Sequence, residues 1–313
     1  MFVTRFAPSP TGALHLGHAF AAITAHDAAQ DGLFRLRIED LDQFRCRESF
    51  VEAIFEDLHW LGLSWEDPEL QQSLRTDIYR SALEQLCRMG LIYSCFCTRA
   101  EVAAEIARSA EAPHGPDGPI YPGTCRRLSA KERRSRQNSG GAFALRLDGT
   151  KAAAAVGELS FQEAESCPNA VGERVTVKPR LFGDIVLARK DAPASYHLAV
   201  VVDDAAQGVT LVTRGHDLLP STHVQRVLQA LLTPCAEIRA PPSYSRWHGA
   251  EAVEAERIFV AAGVQISRGF ASRDSRNAER RLTQSHQRDA SLYGCGEIFR
   301  AYTLWQNRHN RLC

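Results

Sequence analysis

The stretch RFAPSPTGALHLGH, Arg5 to His18, sets the terms for the rest of the chain. Val3 to Phe6 is a short apolar run suited to a buried strand, and Pro8, Pro10 and Gly12 then break regular structure. Gly17 and His18 open a helical stretch, AFAAITAHDAAQ. A strand, a tight loop and a helix N-terminus place free backbone N–H groups and the positive end of a helix dipole where a phosphate can sit. His15 and His18 lie three apart at that mouth. Two imidazoles there can hydrogen-bond phosphate oxygens and stabilise the charge that develops when a carboxylate attacks an α-phosphorus. Alone, an HxxH after prolines is most simply a turn with two surface histidines.

Working outward, FRLRIEDLD at Phe34 to Asp42 changes that balance. Leu33 to Ile38 reads as the second strand of a βαβ unit, returning beside Val3 to Phe6. Glu39 and Asp40 then fall at the strand's carboxyl end, where open parallel sheets bind ligands. The plainer account of Arg37, Glu39, Asp40 and Asp42 is a solvated charged turn. Taken together, the two phrases resemble the signature of class I glutamyl-tRNA synthetases, with HLGH standing for the family's HIGH motif. The resemblance implies an α/β fold with a Rossmann-type parallel sheet. It also implies an ATP site at His15, Gly17 and His18, and a glutamate site built from Arg5, Phe6, Ala7, Pro8, Ser9 and Glu39. The counterpart of Glu39 holds the amino group of glutamate.

At 313 residues the chain has room for one large catalytic domain with insertions. Its 37 basic and 37 acidic residues cancel, so any RNA contact must come from a local patch. No stretch approaches a membrane span and MFVTRFAPS is not laid out as a signal peptide, so a soluble, cytoplasmic protein without a membrane partner is expected; a monomer is expected as well. Nine cysteines, an odd number, do not suggest a secreted disulfide framework.

Glu48 to Leu61 carries apolar residues at Phe50, Ile54, Leu58 and Leu61, and Asp77 to Met89 at Ile78, Leu83 and Leu86. Both are helical stripes that fit core packing. Cys95 and Cys97 follow, then Tyr121 and Cys125. Three thiolates can supply three soft ligands to a tetrahedral metal, with an oxygen as the fourth. The spacing alone leaves a metal site and a set of buried free cysteines equally open. The resemblance narrows this, because C-x-C followed by Y-x-x-x-C is the pattern of the glutamyl-queuosine tRNA(Asp) synthetases, the truncated branch of the family. It implies one structural zinc on Cys95, Cys97, Tyr121 and Cys125. Thr98 and Glu101 fit a capping box, so a helix should start directly after the CxC. His114 to Gly123 reads as loop. Arg126, Arg127, Lys131, Arg133, Arg134 and Arg136 crowd the next stretch against one acid, Glu132. A solvated face and phosphate contact with the acceptor end of a tRNA stand level for that run.

Ala142 to Leu147 and Asp184 to Arg189 read as strands, and Lys190 to Ser195 as a turn. The apolar run in YHLAVVVDD, Tyr196 to Asp204, fits a buried strand with a tyrosine at one end, and GVTLVTRGHDLL follows from Gly208. Ser221 to Leu232 reads as a capped amphipathic helix. In the resembled family the matching tyrosine and arginine contact glutamate, which transfers to Tyr196 and Arg214. Arg5 and Arg214 suit a dicarboxylate, with charge-assisted contacts of ~1.5–3 kcal/mol each. Excluding aspartate by packing alone is worth only ~1–3 kcal/mol, so charge placement must supply the rest.

The resemblance ends near Tyr244. The family continues with a KMSKS-type loop, commonly KLSK in the queuosine branch, and no lysine follows Lys190 here. The nearest approximation is Gln265-Ile266-Ser267-Arg268, with Arg268 as the candidate catalytic and ATP-binding cation. The expected organisation is a first catalytic half over 1–94, a zinc-bearing insertion over 95–180 and a second catalytic half over 181–244. Residues 245–313 read as a divergent tail, disordered or frame-shifted, with no anticodon-binding domain. The resemblance implies activation of L-glutamate with ATP and magnesium, then transfer to the queuosine base of tRNA(Asp). The alternatives are a fragment-like glutamyl-tRNA synthetase charging tRNA(Glu), and a protein that binds glutamate, nucleotide or RNA without turnover.

Overall fold

The computed structural model describes residues 1–232 except 109–113, 117, 141, 166–171 and 190–191, together with the backbone of Ser243–Trp247. Val3–Phe6 (β1) buries Thr4 and Phe6, and Leu16–Ala29 (α1) lays Phe20, Ala22 and Ala25 over it. Leu33–Ile38 (β2) returns parallel to β1 in the register Val3↔Leu33 to Phe6↔Leu36, as the periodicity predicts. The turn between them needs glycine at Gly32. A Cβ there would lie inside van der Waals contact of the Phe2 carbonyl oxygen, which accepts from the Leu33 N–H at 2.9 Å. Glu48–Trp60 (α2) buries Ile54 and Leu58, and Leu70–Gln71 (β3) adds a third parallel strand beside β2.

Thr76–Arg88 (α3) buries Leu83 and Leu86 as expected, but its third inward residue is not Ile78. Ile78 is 47% exposed, whereas Tyr79, Leu83 and Leu86 are buried. Tyr79 sits four and seven residues before the two leucines and so shares their stripe, and its hydroxyl has a buried partner in Asp203 at 2.8 Å. Ile92–Cys95 (β4) leads into Arg99–Arg108 (α4), whose capping box is the one expected: Thr98 Oγ1 accepts from Glu101 N–H at 3.2 Å and Glu101 accepts from Thr98 N–H at 2.7 Å. The segment expected as loop carries a small hairpin, His114–Gly115 (β5) against Gly118–Pro119 (β6). Ala130–Asn138 (α5) follows, then Ala144–Leu147 (β7), Gly149–Val156 (α6), Ser160–Glu165 (β8), Glu173–Thr176 (β9) and Val186–Ala188 (β10).

Tyr196–Ala206 (α7) is a helix, not the strand that its apolar run suggests. Leu198, Ala199, Val200, Val201, Asp203 and Asp204 are all buried, so the segment is covered all round and its sequence shows no polar face to betray a helical period. Ser195 starts it by accepting from the Leu198 N–H at 3.4 Å. Leu211–Gly215 (β11) is fully buried, and Leu219–Leu232 (α8) begins two residues before Ser221. Ser221 is therefore an interior, buried residue and not a cap, and Thr222, His223, Gln225 and Arg226 are buried with it, so α8 is covered nearly all round instead of amphipathic. Ser243–Trp247 (β12) carries regular pairing three residues past Tyr244.

Strand order fixes where a ligand can enter. β1, β2 and β3 step away in one direction. On the other side β11 lies beside β1, with Thr210 N–H donating to the Val3 carbonyl at 2.9 Å and Arg5 reaching the Thr213 carbonyl at 3.4 Å. β12, β8 and β9 continue outward from β11, the first two parallel to it and β9 antiparallel. The order reverses between β1 and β11, and the crevice beyond their carboxyl ends is the ligand position of a doubly wound parallel sheet. A small antiparallel sheet, β4-β7-β10, stands apart from it. No helix among the described residues is long and apolar enough to cross a membrane.

Candidate active site and metal centre

His15 is the N-cap of α1, and the capping is done by the two histidines themselves. His15 Nδ1 accepts from the Gly17 N–H at 3.1 Å, and His18 Nδ1 accepts from the His15 N–H at 3.2 Å. The rings stack with centroids 3.8 Å apart. Each Nδ1 is an acceptor, so each neutral ring carries its proton on Nε2. Burial and then the His15 ring push the His18 imidazole down to about 4. Near pH 7, therefore, His18 is a neutral donor held at a helix N-terminus. Gly17 is needed for the geometry, because a Cβ there would press on the His15 ring at 3.0 Å.

Around the carboxyl ends of β1 and β2 lies a buried ionic cluster. Arg37 is fully buried and donates to Asp204 at 2.6 Å, to Gln207 at 3.0 Å and to Glu39 through two contacts of 3.3 Å. Arg5 Nε donates to the same Asp204 oxygen at 3.1 Å. Burial alone would raise the Asp204 carboxyl, but Arg5 and Arg37 overcome it and hold it below the usual range. Glu39 goes the other way, since its burial outweighs the pull of Arg37 and Arg5. Tyr196, 43% exposed at the start of α7, lies within electrostatic reach of Glu39 and Arg5; partial burial and then the Glu39 carboxylate push its phenol up to about 12. It is a neutral hydrogen-bonding group at any physiological pH. The structure thus brings Arg5, Glu39 and Tyr196 together, and shows that Arg37 belongs to a buried network and not to a solvated turn.

The remaining expected residues are placed differently. Phe6 packs in the core, and the carbonyls of Pro8 and Pro10 accept from Glu39 N–H at 2.9 Å and Arg47 N–H at 3.1 Å, fastening the loop to the β2 end. Ala7 is half-buried and Ser9 exposed. Arg214 is buried with its fork on Glu163 at 2.7 Å and its Nε on Thr222 at 2.9 Å. Asp40 serves the fold, accepting from Gln71 at 2.6 Å and Ser73 N–H at 2.8 Å, and Asp42 pairs with Arg45 on the surface. Arg268 lies outside the described residues.

Asp203, Asp204, Glu163 and Thr222 went unnoticed in the sequence. Asp203 gathers Gln72, Arg75 and Tyr79, and Asp204 gathers Arg5 and Arg37. The signal was present: two acids closing an otherwise apolar run need buried cationic partners.

A second cluster sits where β4 meets α4. The sulfurs of Cys95, Cys97 and Cys125 lie within 4.8 Å of one another, and the Cys97–Cys125 separation is 3.4 Å. The Tyr121 hydroxyl is 3.4 Å from Cys95 Sγ and 3.5 Å from Cys97 Sγ. Backbone N–H groups steady the donors, Phe96 to Cys125 Sγ at 3.3 Å and Cys125 to Tyr121 Oη at 2.9 Å. These residues could hold a metal ion. The Arg146 guanidinium lies 3.9 Å from the Tyr121 ring centroid, and its Nη1 donates to the Asp184 carbonyl.

Residues 1–242 match the family model for the catalytic domain of class I tRNA synthetases (E and Q). The chain is 47% identical over 234 residues to the glutamyl-Q tRNA(Asp) synthetase of Rhodobacter capsulatus, covering 74% of this chain and 82% of that protein. It is 40% identical over 280 residues to the protein of that name from Symbiobacterium thermophilum, covering 85% and 82%. The glutamate–tRNA ligase of Aquifex aeolicus is 37% identical over 267 residues, 81% of this chain and 53% of the ligase. Among solved structures, glutamate-tRNA synthetase from Elizabethkingia anophelis superposes with a TM-score of 0.64 at 26% identity, over 79% of this chain and half the length of that one. The parallel sheet, the histidine pair at the first helix and the match over 1–242 agree, and the chain belongs to the class I tRNA synthetase (E and Q) catalytic-domain family.

Proposed function

We propose that the chain activates L-glutamate with ATP to glutamyl-adenylate and transfers the glutamyl group to the queuosine base of tRNA(Asp). The observation that carries this is the His15–His18 pair. The two stacked rings cap α1 through Nδ1 and leave each Nε2–H to donate, in the unit whose β1 and β2 ends gather Arg5, Glu39 and Tyr196. Arg5 supplies positive charge for the carboxylates and the family resemblance adds Arg214, which pairs with Glu163; Glu39 and Tyr196 receive the amino group, and the chain from Phe6 to Ser9 forms the wall. The glutamate α-carboxylate then attacks the α-phosphorus in line; the new P–O bond forms as the bond to pyrophosphate breaks. His15, His18 and the Gly17 turn donate to the phosphate oxygens as charge builds, without needing a proton gained beforehand. Magnesium entering with ATP supplies charge neutralisation on the phosphates. Arg268 is the further cation proposed for the ATP phosphates.

The metal centre fits zinc. With Zn–S about 2.3 Å and Zn–O about 2.0 Å, a tetrahedral site has S···S edges of about 3.8 Å and S···O edges of about 3.5 Å. The observed 3.4 Å sulfur pair and the 3.4 and 3.5 Å sulfur–oxygen pairs lie close to that frame. Cys95, Cys97, Tyr121 and Cys125 would hold the ion, and its role is to pin the start of α4 to the segment before α5.

Glutamate-dependent ATP–pyrophosphate exchange without tRNA, with aspartate and glutamine as controls, tests the first step. Absence of exchange from folded, zinc-loaded protein overturns it. Transfer of labelled glutamate to tRNA(Asp) bearing queuosine, against charging of the 3′ end of tRNA(Glu), tests the second; charging of tRNA(Glu) alone would make the chain an ordinary glutamate–tRNA ligase.

A further inference from the structure

The six basic residues between 126 and 136 divide by what they touch. Arg126 pairs with the buried Asp184 at 3.1 Å. Arg133 donates to the carbonyls of Cys125, Arg126 and Leu128 and lies over the Tyr93 ring. Arg136 stacks over Phe96. Those three hold the metal knuckle to the small sheet. Arg127, Lys131 and Arg134 are exposed; Arg136 is exposed as well, but its guanidinium lies over the Phe96 ring.

Helix geometry explains the division. On α5, Arg133, Arg136 and Gln137 share the inner side, and Gln137 donates to the Ser94 hydroxyl at 2.9 Å. Lys131 and Arg134 are one turn apart on the outer side, with Arg127 in the turn just before. No residue of α5 is buried. The helix is held by its Ser129–Glu132 capping box and by the inner arginines, not by apolar packing. The nearby acids Glu132, Glu101 and Glu105 accept from Ser129, Thr98 and Thr124 and keep their charge. In a chain whose charges cancel overall, residues 126–136 still carry six cations against one acid, Glu132.

We infer that Arg127, Lys131 and Arg134 form a ridge that takes the phosphate backbone of the RNA substrate. The inference rests on the proposed tRNA-dependent transfer and names the surface that receives the RNA. Cations spaced a turn apart on a solvated helix meet successive phosphates without reading sequence. They therefore set affinity and its salt dependence, not the choice of base.

The test uses the full chain carrying R127Q, K131Q and R134Q together. Zinc content and tRNA-free exchange are expected to match wild type, because none of the three touches the metal donors or the crevice. Binding to tRNA(Asp) is measured over a range of salt. Loss of three phosphate contacts lowers the slope of log K against log salt by about 2–3. An unchanged slope in the variant overturns the inference, as does wild-type protein that forms the adenylate yet binds RNA without salt dependence. Wild-type protein that makes no adenylate but loses the slope in the variant supports the ridge while overturning the proposed catalysis. The single variant R134Q, expected to lower the slope by about one, guards against a folding defect in the triple.

Discussion

Replacing Arg37 by methionine keeps an unbranched apolar stem but removes the guanidinium and its charge from a fully buried site. The substitution deletes hydrogen bonds of 2.6 Å to Asp204 and 3.0 Å to Gln207, and two of 3.3 Å to Glu39. Removing one partner of a buried ion pair costs ~3–5 kcal/mol, because the other charge stays buried and uncompensated. Asp204 keeps Arg5 at 3.1 Å, which puts the expected loss at the low end, about 3 kcal/mol. For a folded unit of this size that is a fall of roughly 6–12 °C in the melting midpoint. Urea titration of wild type, R37M, D204N and the double variant closes a cycle in which the two changes are expected to couple by ~1–3 kcal/mol. Function should respond separately. Arg37 opposes the upward push of burial on Glu39, so its loss moves that carboxyl still higher. If ionised Glu39 receives the amino group, the acid limb of the exchange profile moves to higher pH in R37M. A stability loss under ~1 kcal/mol, or an additive cycle, would refute the view of Arg37 as the hub of this network.

The remaining expectations concern other parts of the molecule. The His18 ring in the free protein should titrate near 4 and show the Nε2–H tautomer by nitrogen chemical shift; a midpoint near 6.5 would remove the argument for a neutral donor. Because its folded value lies below its unfolded one, His18 contributes stability that is complete above about 6.5 and is lost as pH falls toward 4. Wild type is expected to purify with one zinc ion per chain and Cys125→Ser with far less and with lower stability, measured by elemental analysis and thermal melting. Gly32→Ala should lose at least ~1–3 kcal/mol in urea titration, because the Phe2 carbonyl and α1 cannot both stay in place; a near-neutral result would mean the turn relaxes freely.

Reading and structure part company for identifiable reasons. The first βαβ unit was legible because its strands alternate, its loop carries prolines and glycines, and its helix opens on a capping pair. The CxC with Tyr121 and Cys125 was legible as a donor set by residue type, and the Thr98–Glu101 box by its spacing. The box depends on groups close along the chain; the donor set does not, since Tyr121 and Cys125 lie 24 and 28 residues after Cys97. α7 was misread because burial on every side erases the polar stripe that reports a helix. On α3 the one inward residue that differs, Tyr79 in place of Ile78, owes its burial to Asp203, 124 residues away in sequence.

Local order along the chain thus determined the turn before α1 and the Thr98–Glu101 box, since each follows from neighbours within a few residues, while the donor types at the knuckle and the family resemblance follow from residue identity. Tertiary structure alone decided that Arg37 is interior, that Asp203 and Asp204 anchor the site, and that Arg214 meets Glu163. It also sorted the basic run into inner struts and an outer ridge. The physical reason is the same in each case. A charged side chain is buried or exposed according to whether a partner from another part of the chain reaches it, and that partner is set by how the strands and helices pack.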